Sequence, residues 1–147
     1  MDYGKAFKQY NRSSIETADK LELVIMCYDK TILCLQHSKD HIRDKDFIKK
    51  AEKIKKALAI ISELQASLDL DKGGKIAASL DSLYTYLTSR ILLADIQKNI
   101  SIFDECINIL SELKSAWEGI RQEKEESIAI NNTTENEIPR LSHQIAV

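Results

Sequence analysis

Apolar residues recur at intervals of three and four through most of the chain, and the series breaks at three corners. Leu21, Ile25, Tyr28, Ile32, Leu35 and Ile42 keep the spacing of one helix face up to Asp44-Lys45-Asp46. Phe47, Ala51, Ile54, Leu58, Ile61, Leu64 and Leu68 form a second series, and Ile76, Leu80, Leu83, Leu87 and Ile91 a third. Phe103, Ile107, Leu110, Lys114 and Trp117 mark the fourth. Asp19, with Glu22 three positions on, makes a capping box that starts the first helix, and that helix reads to about Arg43. At Lys72-Gly73-Gly74 a glycine just past the last apolar position supplies the positive φ of a helix C-cap, so the second helix stops and the third runs from about Gly74 to Asp95. Gln97-Lys98-Asn99 is the last corner, and Ser101 is the expected cap ahead of Asp104.

Corners this short force consecutive helices to lie antiparallel. The expected fold is therefore all-α, an antiparallel up-down-up-down four-helix bundle over residues 18–122, packed at coiled-coil-like angles of about 20°. Residues 1–17 carry only a sparse apolar series, Tyr3, Phe7, Tyr10 and Ile15, and read as an N-terminal arm. From Glu123 the chain turns acidic and rich in Asn and Thr, with its one proline at 139, and residues 123–147 read as a disordered C-terminal tail.

One apolar stripe suffices for a bundle helix, and this chain carries more. Leu23, Val24, Met26 and Cys27 flank the first stripe, so seven of the eight residues from 21 to 28 are apolar. On the fourth helix Ile102, Cys106, Ile109, Leu113, Ala116 and Ile120 run beside the main series. On the third, Tyr86 and Leu93 stand on a line otherwise made of Ser79, Ser82 and Ser89, where small residues alternating with large ones make a furrow. Several adjacent stripes on one small domain point to grooves for a partner's amphipathic segment, or for the chain's own arm.

Composition narrows the function classes. A net charge of −2 gives no field that draws polyanions, so general nucleic-acid binding is not expected. The lysines at 45, 49, 50, 53, 55 and 56 read as a solvated face. The longest nearly unbroken apolar run, Leu23 to Tyr28, is far short of the roughly 18 residues of a membrane span. The amino terminus lacks a basic region followed by an apolar one, so a cytoplasmic protein with no membrane insertion is expected. Three cysteines, at 27, 34 and 106, fall in apolar helical patterns and read as buried hydrophobes, neither a disulfide framework nor nucleophiles. Cys34, His37 and His41 share one side of a helix but lack a fourth ligand, so no metal is expected. No His has a Glu three residues before it, as a di-iron bundle needs, and Lys72-Gly73-Gly74-Lys75 lacks P-loop spacing. No cofactor and no enzymatic activity follow from these residues.

Three passages, in order along the chain, resemble one family. Tyr10, then Thr17-Ala18, Leu23, Met26 and Tyr28-Asp29 are similar to its amino-terminal signature, with Asp19-Lys20 in place of a Ser/Thr-Pro pair, Cys27 in place of Leu and Lys30 in place of Gly. The Lys-Gly-Gly corner leads into Leu83-Tyr84-Thr85-Tyr86 and then Arg90-Ile91-Leu92-Leu93-Ala94, followed by Asp95 where the family usually has Asn. Leu113, Ala116, Trp117 and Ile120 match its closing Leu-x-x-Ala-Trp-x-x-Ile. The family is the flagellar export chaperones of the FliS type. The resemblance implies a chaperone without an ATPase, which holds the disordered C-terminal segment of flagellin in hydrophobic surface grooves, prevents premature polymerisation in the cytosol and delivers it to the flagellar export apparatus, with the export gate as a further candidate contact. The candidate partner-binding residues are Phe7, Tyr10, Leu23, Met26, Tyr28, Leu83, Tyr86, Leu93, Ile102 and Ile109. The arm would cap one groove until the client displaces it. The competing expectation is a self-associating helical adaptor, a homodimer that buries the extra stripes against its own copy.

Overall fold

The computed structural model describes the backbone of residues 16–145 and the side chains of 19–132; among them are four helices and no strand. They are α1 (Glu16–Arg43), α2 (Phe47–Ala66), α3 (Leu70–Gln97) and α4 (Ile100–Ile145). α1 and α3 each pack against both α2 and α4, so the four helices stand at the corners of a square. The direction of α4 relative to α1 is fixed by charge pairs: Lys39, Asp29 and Glu22 of α1 meet Asp104, Lys114 and Arg121 of α4. Stepping back along α1 by ten residues and then seven matches steps forward along α4 of ten and seven, which is one antiparallel register from end to end. Lys50 with Asp95 and Gln65 with Asp81 set α2 antiparallel to α3 in the same way.

The centre is filled by Leu35, Ile61, Leu87, Ile91, Phe103 and Leu110, all without exposed surface. Tyr28 and Tyr84 face each other across the diagonal from α1 to α3, with their hydroxyls 2.5 Å apart. Each phenol thus supplies the other's polar partner, as a buried tyrosine requires. Thr31 and Ser38, also fully buried, donate to the carbonyls of Cys27 and Cys34 one turn back, both at 2.8 Å. Lys50 does not join the solvated lysines of α2. It is 7% exposed, and its Nζ lies 2.7 Å from Asp95 Oδ1 and 3.4 Å from the Asp95 carbonyl.

The helix ends depart from the sequence reading in three places. α1 begins at Glu16, so Asp19 lies within its first turn and is not its cap. The corner between α2 and α3 is Ser67-Leu68-Asp69: Asp69 caps α3 by accepting from Lys72 N at 3.0 Å, and the double glycine falls inside α3. Gly74 does take positive φ (54°, with ψ −135°), but it kinks the helix after its first turn instead of ending α2. That conformation is open to glycine and strained for other residues. Ser101 is exposed, and Asn99 is the cap that serves α4, its Oδ1 accepting from Ile102 N at 3.3 Å. The α4 backbone is helical to Ile145, with Ile128 and Ile130 exposed. The Gln122-Glu-Lys-Glu-Glu run consists of strong helix formers that extend a helix already nucleated.

Candidate binding groove

The kink at Gly74 changes which residues α3 presents. Ile76, at the head of the expected core stripe, is 74% exposed, and the buried face of α3 is Ala77, Tyr84, Leu87, Ile91 and Ala94. The side toward α4 is left with large and small residues alternating, and there the seam opens. A groove of about 310 Å³ lies between the two helices, lined by Lys75, Ile76, Ser79, Leu80, Leu83 and Leu113. Its walls are aliphatic and its one charge, Lys75, stands at the end where α3 begins.

One turn toward the other end, Tyr86 and Arg90 of α3 reach across to Glu105 of α4. The phenol donates to Oε1; the guanidinium donates to Oε2 from Nε at 3.2 Å and from Nη2 at 2.7 Å. The Tyr86 hydroxyl and, after it, the Arg90 guanidinium hold the Glu105 carboxyl below the usual carboxylate range. The same bond, by favouring the protonated phenol, pushes Tyr86 up. Beneath this surface, burial pushes the Cys106 thiol up to about 11, and on α1 burial likewise raises Cys27, which keeps both as thiols at neutral pH. Among the described residues no group of three His, Cys, Asp or Glu is placed to hold a metal ion, and the rings of His37 and His41 are 6.5 Å apart. Nor is any described helix long and apolar enough to cross a membrane.

The structure gathers some of the candidate partner residues and disperses others. Leu83 lines the groove, Tyr86 is 45% exposed beside it, and half-buried Leu93 lies further along the same helix. Half-buried Ile109 is one turn from both Glu105 and Leu113, so it belongs to the same seam. Leu23, half-buried, and Met26, 57% exposed, are on α1 and face elsewhere. Two assignments are corrected. Tyr28 has no exposed surface because its ring fills the bundle centre and its hydroxyl is committed to Tyr84, so it cannot line a surface groove in this conformation. Ile102 is 8% exposed, held in the core by the first turn of α4 behind the Asn99 cap. Phe7 and Tyr10 lie outside the described residues. Ile76, Leu80, Leu113, Arg90 and Glu105 were not singled out for the site. The alternation of serines with large residues on α3 marked the furrow, but the pairing of Glu105 with α3 depends on how two helices face each other, which one-helix periodicity does not contain.

Known proteins match this architecture and this sequence. The family model of the flagellar protein FliS matches residues 3–124, which ends close to where Arg121 makes the last charge pair with α1. The flagellar secretion chaperone FliSB of Pseudomonas aeruginosa is 33% identical over 120 residues, covering 79% of this chain and 95% of its own. The flagellar secretion chaperone FliS of Salmonella typhimurium is 32% identical over 118 residues, with 79% and 87% covered. A crystal structure of a bacterial flagellar chaperone superposes with a TM-score of 0.69 at 19% identity, over 83% of this chain and 99% of the other, and shows the same fold. A bundle with an open apolar seam, matched along nearly its whole packed length by these sequences, belongs to the FliS family of flagellar secretion chaperones.

Proposed function

We propose that this protein binds the C-terminal segment of flagellin in the groove between α3 and α4, keeps it from polymerising in the cytosol and hands it to the flagellar export apparatus. The observation that carries the reading is the groove itself: an aliphatic trough of about 310 Å³ on the outside of a bundle whose core is already full. An amphipathic segment laid there covers Ile76 and the open sides of Leu80, Leu83 and Leu113, and the same apolar face is then withheld from filament contacts. Binding of this kind involves no chemical step and no cofactor.

The arm belongs to the same proposal. α1 starts at the end of the bundle where α3 also starts, since Glu22 pairs with Arg121 while Lys75 and Ile76 mark the groove mouth. Fifteen residues precede Glu16, and Tyr3, Phe7 and Tyr10 among them carry rings suited to covering aliphatic surface until the client replaces them. Replacing Tyr10 then alters client affinity more than fold stability.

Native co-purification from cells that make flagellin, followed by sedimentation of the purified pair, tests the function. The expected result is a one-to-one complex with flagellin as the dominant partner. A homodimer that persists on dilution and ignores flagellin C-terminal peptides would establish the self-associating adaptor instead.

A further inference from the structure

The seam between α3 and α4 is fastened by polar groups at one level. Among the described residues, the only side-chain hydrogen bonds between these two helices are those from Tyr86 and Arg90 to Glu105. The α1–α4 seam, by contrast, has three charge pairs spread along its length. The groove therefore runs open from the start of α3 and meets a cross-tie just beyond Leu83, where the aliphatic lining ends.

Three features make this tie a reader of whatever lies in the groove. It is accessible, with the Arg90 and Glu105 side chains 30% and 34% exposed. It is polar at the end of an apolar trough, so a client residue that continued the apolar series would strip water from a charged pair without replacing its hydrogen bonds. It is also internally neutralised: a client carboxylate would face Glu105, and a client ammonium would face Arg90. An uncharged polar side chain fits both, because a guanidinium has five N–H donors, only two of them used here, and a carboxylate has about four acceptor positions.

We propose that Tyr86, Arg90 and Glu105 form a register stop, which fixes where along the groove the client's apolar cluster ends by hydrogen-bonding an Asn, Gln, Ser or Thr that follows it. If the bound segment is helical, that residue lies about one to two turns beyond the last apolar anchor, matching the three to seven positions from Leu83 to Tyr86 and Arg90. The inference rests on the flagellin reading above, and it adds to that reading the sequence pattern the groove selects.

A photo-reactive residue in place of exposed Ser79, on the groove wall, records which flagellin residue lies there. With the stop intact, cross-links fall on one short stretch of the client. In Glu105→Ala they spread or shift by about a turn, and Kd rises by about five- to tenfold, the loss expected for a partly exposed charge-assisted contact. Tyr86→Phe keeps the ring and removes only the hydroxyl, so its melting temperature checks that any shift is not partial unfolding. The same single cross-link in wild type and in both variants overturns the stop while leaving flagellin binding intact. A wild-type protein that captures no flagellin refutes the client reading, and the stop with it.

Discussion

Replacing Ile76 by Ala separates client binding from folding, because Ile76 lines the groove yet is 74% exposed and so contributes little to the core. The change removes three carbons. At about 0.8 kcal/mol per buried CH₂, weighted by the fraction open in the free protein, a client that covers the residue loses about 1.8 kcal/mol, a factor of about 20 in Kd. Stability moves the other way if at all, since Ala is a better helix former than Ile by a few tenths of a kcal/mol at an exposed site. Titration calorimetry with a flagellin C-terminal peptide and a thermal melt of the free protein give both numbers from one preparation. An unchanged Kd, or a rise in Kd accompanied by a fall in melting temperature, refutes the placement of the client against α3.

Asp95→Ala leaves the buried Lys50 ammonium with the carbonyl 3.4 Å away and the Phe47 ring 5.6 Å from Nζ but no counter-charge, and should cost about 3 kcal/mol in urea unfolding, the low end for a broken buried pair because the Asp95 side chain is 28% exposed. Lys50→Met in that background should recover most of the loss, and no recovery contradicts the assignment. The lowered Glu105 carboxyl implies that the tie to Tyr86 and Arg90 is fully formed above pH 4.5 and is lost as pH falls through the depressed value. The urea-midpoint difference between wild type and Glu105→Gln should therefore shrink in acid; a constant difference argues against an ionised tie. Gly74→Ala meets no atom within 4 Å but forces a side chain onto positive φ, so a loss of about 1–3 kcal/mol from backbone strain alone is expected. Gly73→Ala instead sets its Cβ 2.5 Å from that of Ala77, and should be relieved by Ala77→Gly.

Much of the fold was legible because a helix writes its buried face into the sequence every three to four residues. Ile54, Ile61 and Leu64 of α2, and Phe103 and Leu110 of α4, are buried as their spacing requires. The misreadings cluster where one residue has two uses. Gly74 has the positive φ of a C-cap, but Asp69 had already opened α3, so the glycine bends a helix where it was expected to stop one. That bend rotates Ile76 out of the core line and creates the groove wall, a consequence invisible to a periodicity that assumes a straight helix. Lys50 looked like one more solvated lysine because its partner, Asp95, is on another helix. Tyr28 and Ile102 looked available because they stood in apolar-rich stretches, and only packing distinguishes an inner stripe from an outer one.

Hydrogen exchange across the whole chain, with and without the flagellin C-terminal segment, tests most directly whether the client lies between α3 and α4. Bound client should slow amide exchange from about Ile76 to Leu93 and from about Glu105 to Leu113, and leave the outer face of α1 around Leu33 at its free rate. Saturating binding that protects α1 and α2 while the α3–α4 seam exchanges as before would contradict the account.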